Sequence, residues 1–392
     1  MTGANGVTEA GRGRGAAAGP SGPSVPGELA GLAALTAERR TIVCCGSGGV
    51  GKTTTAAVVA LEGARLGRKT VVVTIDPAKR LADALGLAGL TGEPSRIDGD
   101  WPGELWAMML DTKSTFDALV RKHATSDEQS ERILGNRFYR NISEALSGTQ
   151  EYMAMEKLYE LHEDTDFDLV VVDTPPTRHA LDFLDAPRRL SRFLEHRLFR
   201  VLVSPRSGLV KAVNVAAQTF LRTVSRVIGG DVIDDAIAFF QAFEGMEEGF
   251  RSRAVRVNEL LAAPSTAFLL VASPRRDTLD EARYFADRLS EAGITVEGLI
   301  VNRVHPRFGD GLPEATRARA ATLAGTDLGR LYENLADFQT VASREREHLA
   351  GLAGAVASAP VALVPFLATD VHDLDGMAEV AGYLFATEAP AP

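Results

Sequence analysis

Residues 46 to 53 read Gly46-Ser47-Gly48-Gly49-Val50-Gly51-Lys52-Thr53, a complete G-x-x-x-x-G-K-[ST] phosphate loop. It follows the apolar run Thr41-Ile42-Val43-Cys44-Cys45 and precedes the helix-prone Thr54-Thr55-Ala56-Ala57-Val58-Val59-Ala60-Leu61. A strand, a tight glycine loop and a helix are the context this pattern requires, so an α/β fold is expected around it. The glycines let backbone N–H groups turn inward around phosphate oxygens, and the helix N-terminus contributes the positive end of its dipole. Lys52 is placed to reach the β- and γ-phosphates, and the Thr53 hydroxyl to ligate Mg²⁺. The expectation is ATP or GTP bound by residues 46 to 54, with Thr54 carrying the loop into its helix.

Gly46-Ser47-Gly48-Gly49-Val50-Gly51 also satisfies G-x-G-x-x-G, and Asp76 ends the next strand where a ribose-binding acid would stand. That dinucleotide reading leaves Lys52-Thr53 and the later aspartate Asp173 without a role, so the phosphate-loop reading is preferred. The formal charge of −10 argues against general nucleic-acid binding and leaves phosphate recognition to local features. No run approaches the eighteen or so apolar residues of a membrane span, and the first residues lack a secretory pattern. The two cysteines, Cys44 and Cys45, are adjacent on one strand and point to opposite faces, which excludes an ordinary disulfide or a C-x-x-C clip. These features predict a cytoplasmic protein.

Along the 392 residues the organisation changes four times. Residues 1–37, dominated by Gly, Ala, Pro and Ser, read as a disordered leader. Short apolar, often β-branched runs then follow at Thr41–Cys45, Thr70–Ile75, Leu105–Leu110, Leu169–Val172, Ala267–Ala272, Glu297–Val301 and Val361–Val364, with helical patterns between them. This alternation predicts a doubly wound, mostly parallel sheet buried on both faces. Residues 187–263 interrupt it with helical spacings such as Leu190, Phe193, Leu194 and Leu198. The expected division is therefore a nucleotide-binding core over 38–186 and 264–387, a helical subdomain over 187–263, and a tail over 388–392. From Arg188 to Arg226 there are nine Lys or Arg against one acid, and from Asp231 to Phe250 six acids and no base. Two readings of this insertion stay open: a helical unit whose apolar stripe is core, or one presenting an apolar face with a basic rim to a client protein or membrane surface.

Two aspartates close strands where ligands of such sheets bind. Val73-Thr74-Ile75-Asp76-Pro77 places a carboxylate at one strand end, although aspartate before proline is also turn chemistry. Asp168-Leu169-Val170-Val171-Val172-Asp173 ends a buried run in an acid that can hold the water shell of Mg²⁺, with a helix N-cap as the structural alternative.

Together these segments resemble the ArsA family of ATPases, whose members include arsenite-pump and tail-anchored-protein targeting ATPases. The likeness covers residues 40–385 and uses several motifs in the family order. Asp76-Pro77-Ala78-Lys79-Arg80-Leu81 resembles the first switch segment, and Asp173-Thr174-Pro175-Pro176-Thr177-Arg178 the second. The resemblance implies ATP rather than GTP, Asp76 as the residue that polarises the attacking water, and Asp173 as the acid beside Mg²⁺. It further implies that Asn302 hydrogen-bonds adenine while Pro365 and Phe366 pack on it, and that the chain works as a dimer whose nucleotide state drives the helical subdomain.

The departures matter equally. The family lysine at the second loop position, which crosses to the partner's nucleotide, is here Ser47. The zinc-binding C-x-x-C and the arsenite-binding cysteines are missing, which argues against arsenite transport. Two assemblies remain open: a heterodimer with a lysine-bearing paralogue, or a homodimer using another cation such as Lys79 or Arg80. A nucleotide-binding regulatory or scaffold subunit with negligible turnover is the alternative to an ATPase.

Overall fold

Strand alternation divides the two neighbouring cysteines between separate cores. Ile42 and Cys44 pack on one face of the central sheet, Val43 and Cys45 on the other. Both thiols are free and buried, and burial raises both pKa values, so neither is a reactive thiolate. The computed structural model of the protein describes residues 31–76, 79–142, 149–175, 192, 230–309, 311–356 and 359–385.

Eight strands form one sheet: β1 (Thr41–Gly46), β2 (Lys69–Thr74), β3 (Ser95–Ile97), β4 (Glu104–Met109), β5 (Leu169–Asp173), β6 (Thr266–Ala272), β7 (Val296–Val304) and β8 (Val361–Pro365). Their order is β3-β4-β2-β5-β1-β6-β7-β8, parallel throughout except where β3 runs antiparallel to β4 at one edge. All seven apolar runs of the sequence are strands here; β3 is an addition, and it has the sheet edge on one side.

The helix Lys52–Arg65 covers one face, with Ala56, Ala57, Val58, Val59 and Ala60 all fully buried. Its small side chains allow close approach to the sheet, and Met377 and Leu384 of the helix Leu374–Leu384 complete that core. The opposite face is covered by the helices Thr149–Glu163, Arg276–Glu291 and Asp327–Ala355, through Met155, Leu158, Leu279, Leu289 and Leu352.

The expected leader stops short of residue 37. Leu32–Glu38 is a helix with Leu32, Ala33 and Thr36 buried, and Leu32 and Leu35 pack into the sheet-side core. Leu32, Leu35 and the small residues between them supply an apolar face that outweighs the bias of the preceding composition.

A third, aromatic core lies apart from the sheet. Phe116, Tyr139 and Phe250 meet Phe239 and Phe243, uniting helices from residues 112–163 with Gly230–Ala242 and Glu247–Leu261. Beside it Arg253 donates to Glu156 at 2.7 Å, both side chains buried, and lies 3.8 Å over the Tyr159 ring. Of the predicted helical insertion, residues 187–191 and 193–229 lie outside the described residues. No helix among the described residues is long and apolar enough to cross a membrane.

Candidate active site

Parallel register brings three strand ends together. Asp173, the last residue of β5, is level with Thr74 on β2 and Cys44 on β1. At that level the Thr74 hydroxyl donates to Asp173 Oδ2 at 2.8 Å. Thr53, one residue into the helix after the phosphate loop, donates to the same oxygen at 2.8 Å. The second oxygen, Oδ1, is buried without a hydrogen-bond partner among the described residues. Burial pushes the Asp173 carboxyl up to about 6, while the Thr53 and Thr74 hydroxyls and Lys52 pull the other way. A carboxylate oxygen without a partner among the described residues, beside a threonine hydroxyl, is an oxygen donor set that suits a hard cation such as Mg²⁺. No cluster of three or more His, Cys, Asp or Glu able to hold a metal occurs among the described residues.

Thr74 also joins the two acids. Its Oγ1 accepts the backbone N–H of Asp76 at 3.2 Å while donating to Asp173. Asp76 itself stands just past β2, nearly buried, and its Oδ2 accepts from Arg80 Nη1 at 3.1 Å. Pro77 and Ala78 between them lie outside the described residues, as do 176–181 of the second switch. Thr174, at the start of that switch, donates its hydroxyl to Cys44 O at 2.8 Å.

The loop itself is shaped by three left-handed glycines: Gly46, Gly49 and Gly51. A Cβ on Gly46 would stand 2.0 Å from Val271 O, and one on Gly51 2.2 Å from Asn302 Nδ2. Gly48 and Gly49 form the exposed tip, and Val50 is buried beneath it. Lys52 is buried and arches back so that Nζ donates to Ser47 O at 2.8 Å. Desolvation lowers its pKa, with Asp173 opposing, so an anionic ligand would be the natural complement. Ser47 is buried too, and its hydroxyl has no partner among the described residues.

A bulge in β7 braces this loop. The register between β7 and β8 shifts between Asn302 and Val304, and Arg303 carries the one left-handed backbone among described non-glycine residues (φ 64°). Regular alternation would send Asn302 and Arg303 to opposite faces; the bulge aims both at the loop. Asn302 Nδ2 donates to Val50 O and Arg303 Nη1 to Gly49 O, each at 3.0 Å. Carbonyl and following N–H point opposite ways in a trans peptide, so two carbonyls held outward turn the N–H groups of Val50 and Gly51 to the other side, the side phosphates take in such loops. Asn302 Oδ1 meanwhile accepts the Arg303 N–H at 2.9 Å. The expected adenine-bonding amide is therefore engaged at both ends in this conformation.

Lys52, Thr53, Thr54, Asp76, Asn302, Pro365 and Phe366 line one cavity of 390 Å³, together with Arg80, Asp83, Thr174, Arg303, Asp370 and His372. Val364, Pro365, Phe366 and Leu367 give it an apolar stretch of wall beside Thr369, Asp370 and His372. Phe366 is 61% exposed there, its N–H bonded to Val304 O at 2.9 Å and its ring stacked on His305 at 6.3 Å. Glu345 fixes His305, accepting from its backbone N–H at 2.8 Å and pairing with its Nδ1 at 2.7 Å.

Residues 39–342 match the family described as anion-transporting ATPase, ArsA. The chain belongs to the ArsA family. It is accordingly a P-loop ATPase, and a nucleotide is its substrate. Among similar proteins are the ATPase GET3 of Malassezia globosa, 27% identical over 67% of this chain and 72% of its own; the ATPase get3 of Schizosaccharomyces japonicus, 26% over 71% and 79%; and the ATPase ASNA1 homolog of Dictyostelium discoideum, 26% over 66% and 70%. In this ArsA-type ATPase the sequence reading missed Thr74 as the link between the two acids and the loop-bracing geometry of Arg303. Neither left a local signal: Thr74 acts through cross-strand register, and Arg303 through a bulge.

Proposed function

We propose that this ATPase hydrolyses ATP in a Mg²⁺-dependent reaction in the cytoplasm. The observation that carries the proposal is the buried Oδ1 of Asp173, without a partner among the described residues, beside the Thr53 hydroxyl. Thr53 and Asp173 would hold Mg²⁺, directly and through its water shell respectively. When bound, the ion would supply positive charge that offsets the negative charge of the phosphates. Lys52 exchanges Ser47 O for phosphate oxygens and stabilises charge on them. Asp76 accepts a hydrogen bond from water and aligns it. The water oxygen bonds to the γ-phosphorus as the bond from that phosphorus to the bridging oxygen breaks, giving ADP and inorganic phosphate, and the proton leaves by way of Asp76. Pro365 and Phe366 provide the apolar wall for the base, and Asn302 lies at the boundary between base and loop.

We further propose a dimer whose helical unit responds to the nucleotide and meets a protein client. That unit is the insertion over 187–263, whose described helices Gly230–Ala242 and Glu247–Leu261 pack through the aromatic core on helices of residues 112–163 of the nucleotide-binding core. The two assemblies stay distinct, a homodimer or a heterodimer with a lysine-bearing paralogue. Ser47, short and neutral where a lysine would cross the interface, also favours a second reading, a regulatory subunit that binds nucleotide with negligible turnover.

Equilibrium titration and turnover of two variants test the assignment. Lys52→Ala is expected to cost about 2–4 kcal/mol in ATP affinity. Asp76→Asn is expected to keep affinity near wild type while turnover falls by about 10². Unchanged affinity in Lys52→Ala would refute the phosphate site; parallel loss of binding and turnover in Asp76→Asn would make Asp76 a metal-holding or structural residue. A wild-type chain inert even with its natural partner would favour the regulatory reading.

A further inference from the structure

We propose that Arg80 is the cation that meets the γ-phosphate from within the same chain, and that Asp76 holds it in place until the nucleotide arrives. The proposal rests on the reading of Asp76 as the residue that aligns water.

A triphosphate needs more positive charge than Lys52 alone provides, above all where charge gathers on the γ-phosphoryl oxygens during transfer. Ser47 supplies none. Of the two arginines on the cavity wall among the described residues, Arg303 spends its Nη1 on Gly49 O, outside the loop. Arg80 opens the helix Arg80–Ala84, four residues after Asp76, and lines the cavity with Lys52, whose pKa its charge helps to lower. Lys79, its neighbour, does not line the cavity.

The Asp76–Arg80 pair is asymmetric in a way that suits exchange. The Asp76 side chain is 12% exposed and the Arg80 side chain 60%. The acid is fixed, its backbone tied to Thr74, while the guanidinium reaches it from the open side through one nitrogen at 3.1 Å. A guanidinium has five N–H donors in a planar fork, and a phosphate oxygen pair with more than one negative charge offers it a better match than a single carboxylate oxygen. While Arg80 occupies Asp76 Oδ2, that oxygen is a poorer acceptor for a water proton. Movement of Arg80 to the γ-phosphate removes that contact. One event thus adds a cation to the transferring group and takes a competing donor off the acceptor that aligns water. ADP, which lacks the γ-phosphate, leaves the pair closed. No partner lysine is required, which favours the self-sufficient homodimer.

The test is a titration of the full-length chain with Mg²⁺ and either ADP or the β,γ-imido analogue of ATP, for wild type, Arg80→Ala, Arg80→Lys and Lys52→Ala. Arg80→Ala is expected to weaken the analogue by about tenfold or more and to leave ADP within about twofold. In parallel, turnover is expected to fall by about 10² or more, with partial recovery in Arg80→Lys and on adding guanidinium ion to Arg80→Ala. Equal losses for ADP and analogue would make Arg80 structural, and unchanged analogue affinity would remove it from the site; either overturns the proposal. Lys52→Ala separates the two levels. If it abolishes binding while Arg80→Ala does nothing, this inference alone fails; if it changes neither affinity, the phosphate-site reading fails with it.

Discussion

The carboxyl of Asp173 should make the nucleotide-free protein less stable than it would be without that charge. In the unfolded chain the group titrates near 3.8, and in the fold near 6. Below about 4 it is protonated in both states. Between about 4 and 6 the unfolded chain releases the proton while the folded chain retains it, so the contribution to stability declines as pH rises. Above about 6 the whole cost is present: at 1.36 kcal/mol per pH unit it comes to about 3 kcal/mol. Asp173→Asn removes the charge while its carbonyl oxygen still accepts from Thr53 and Thr74. For 392 residues, an unfolding entropy of about 2.1 cal/mol/K per residue converts that gain into a rise in Tm of about 3–4 °C. The assay is differential scanning calorimetry of both proteins in EDTA, free of nucleotide, from pH 5 to 7.5. The variant's advantage should be largest at pH 7.5 and shrink towards pH 5. With Mg²⁺ and nucleotide present the ranking should reverse, because only the wild type gains fully from the ligand. A variant less stable than wild type at pH 7.5 without ligand, or an advantage that does not change with pH, would refute the reasoning.

Two further substitutions probe the loop. Gly51→Ala forces a side chain into a left-handed backbone and against Asn302, and should cut ATP affinity at least tenfold in equilibrium dialysis; affinity within twofold of wild type would show that the brace is dispensable. Ser47→Lys should leave turnover of the pure chain within about twofold if the cation is supplied in cis. A large increase would show instead that the chain lacks a lysine from a different partner.

Much of this arrangement was legible in the residues. The interior strands among the seven were legible because a buried parallel strand must be apolar on both faces, which writes it into the sequence as a continuous run; β8, at the sheet edge and partly exposed, is apolar all the same. The meeting of Lys52, Thr53 and Asp173 was legible because a phosphate loop and an acid closing a buried strand are read as fixed residue types at helix and strand ends. Ser95–Ile97 was not: three residues, two of them exposed, carry no period to read. Thr74 acquires its role only when β2 and β5 pair in one register. Phe116 and Phe250 lie 134 positions apart in the numbering, and nothing local announces that their rings meet. The helix at Leu32 was hidden by the glycine- and proline-rich composition just before it.

The bulge at Arg303 has a consequence for how fast nucleotide binds. Because Gly49 and Val50 are clamped before any ligand arrives, the entropy of ordering the loop is already lost on folding. Association then follows a single step whose rate reflects diffusion and charge, and differences in affinity among nucleotides appear as differences in residence time. Loosening the clamp would reverse this, with capture delayed until a disordered loop finds its shape.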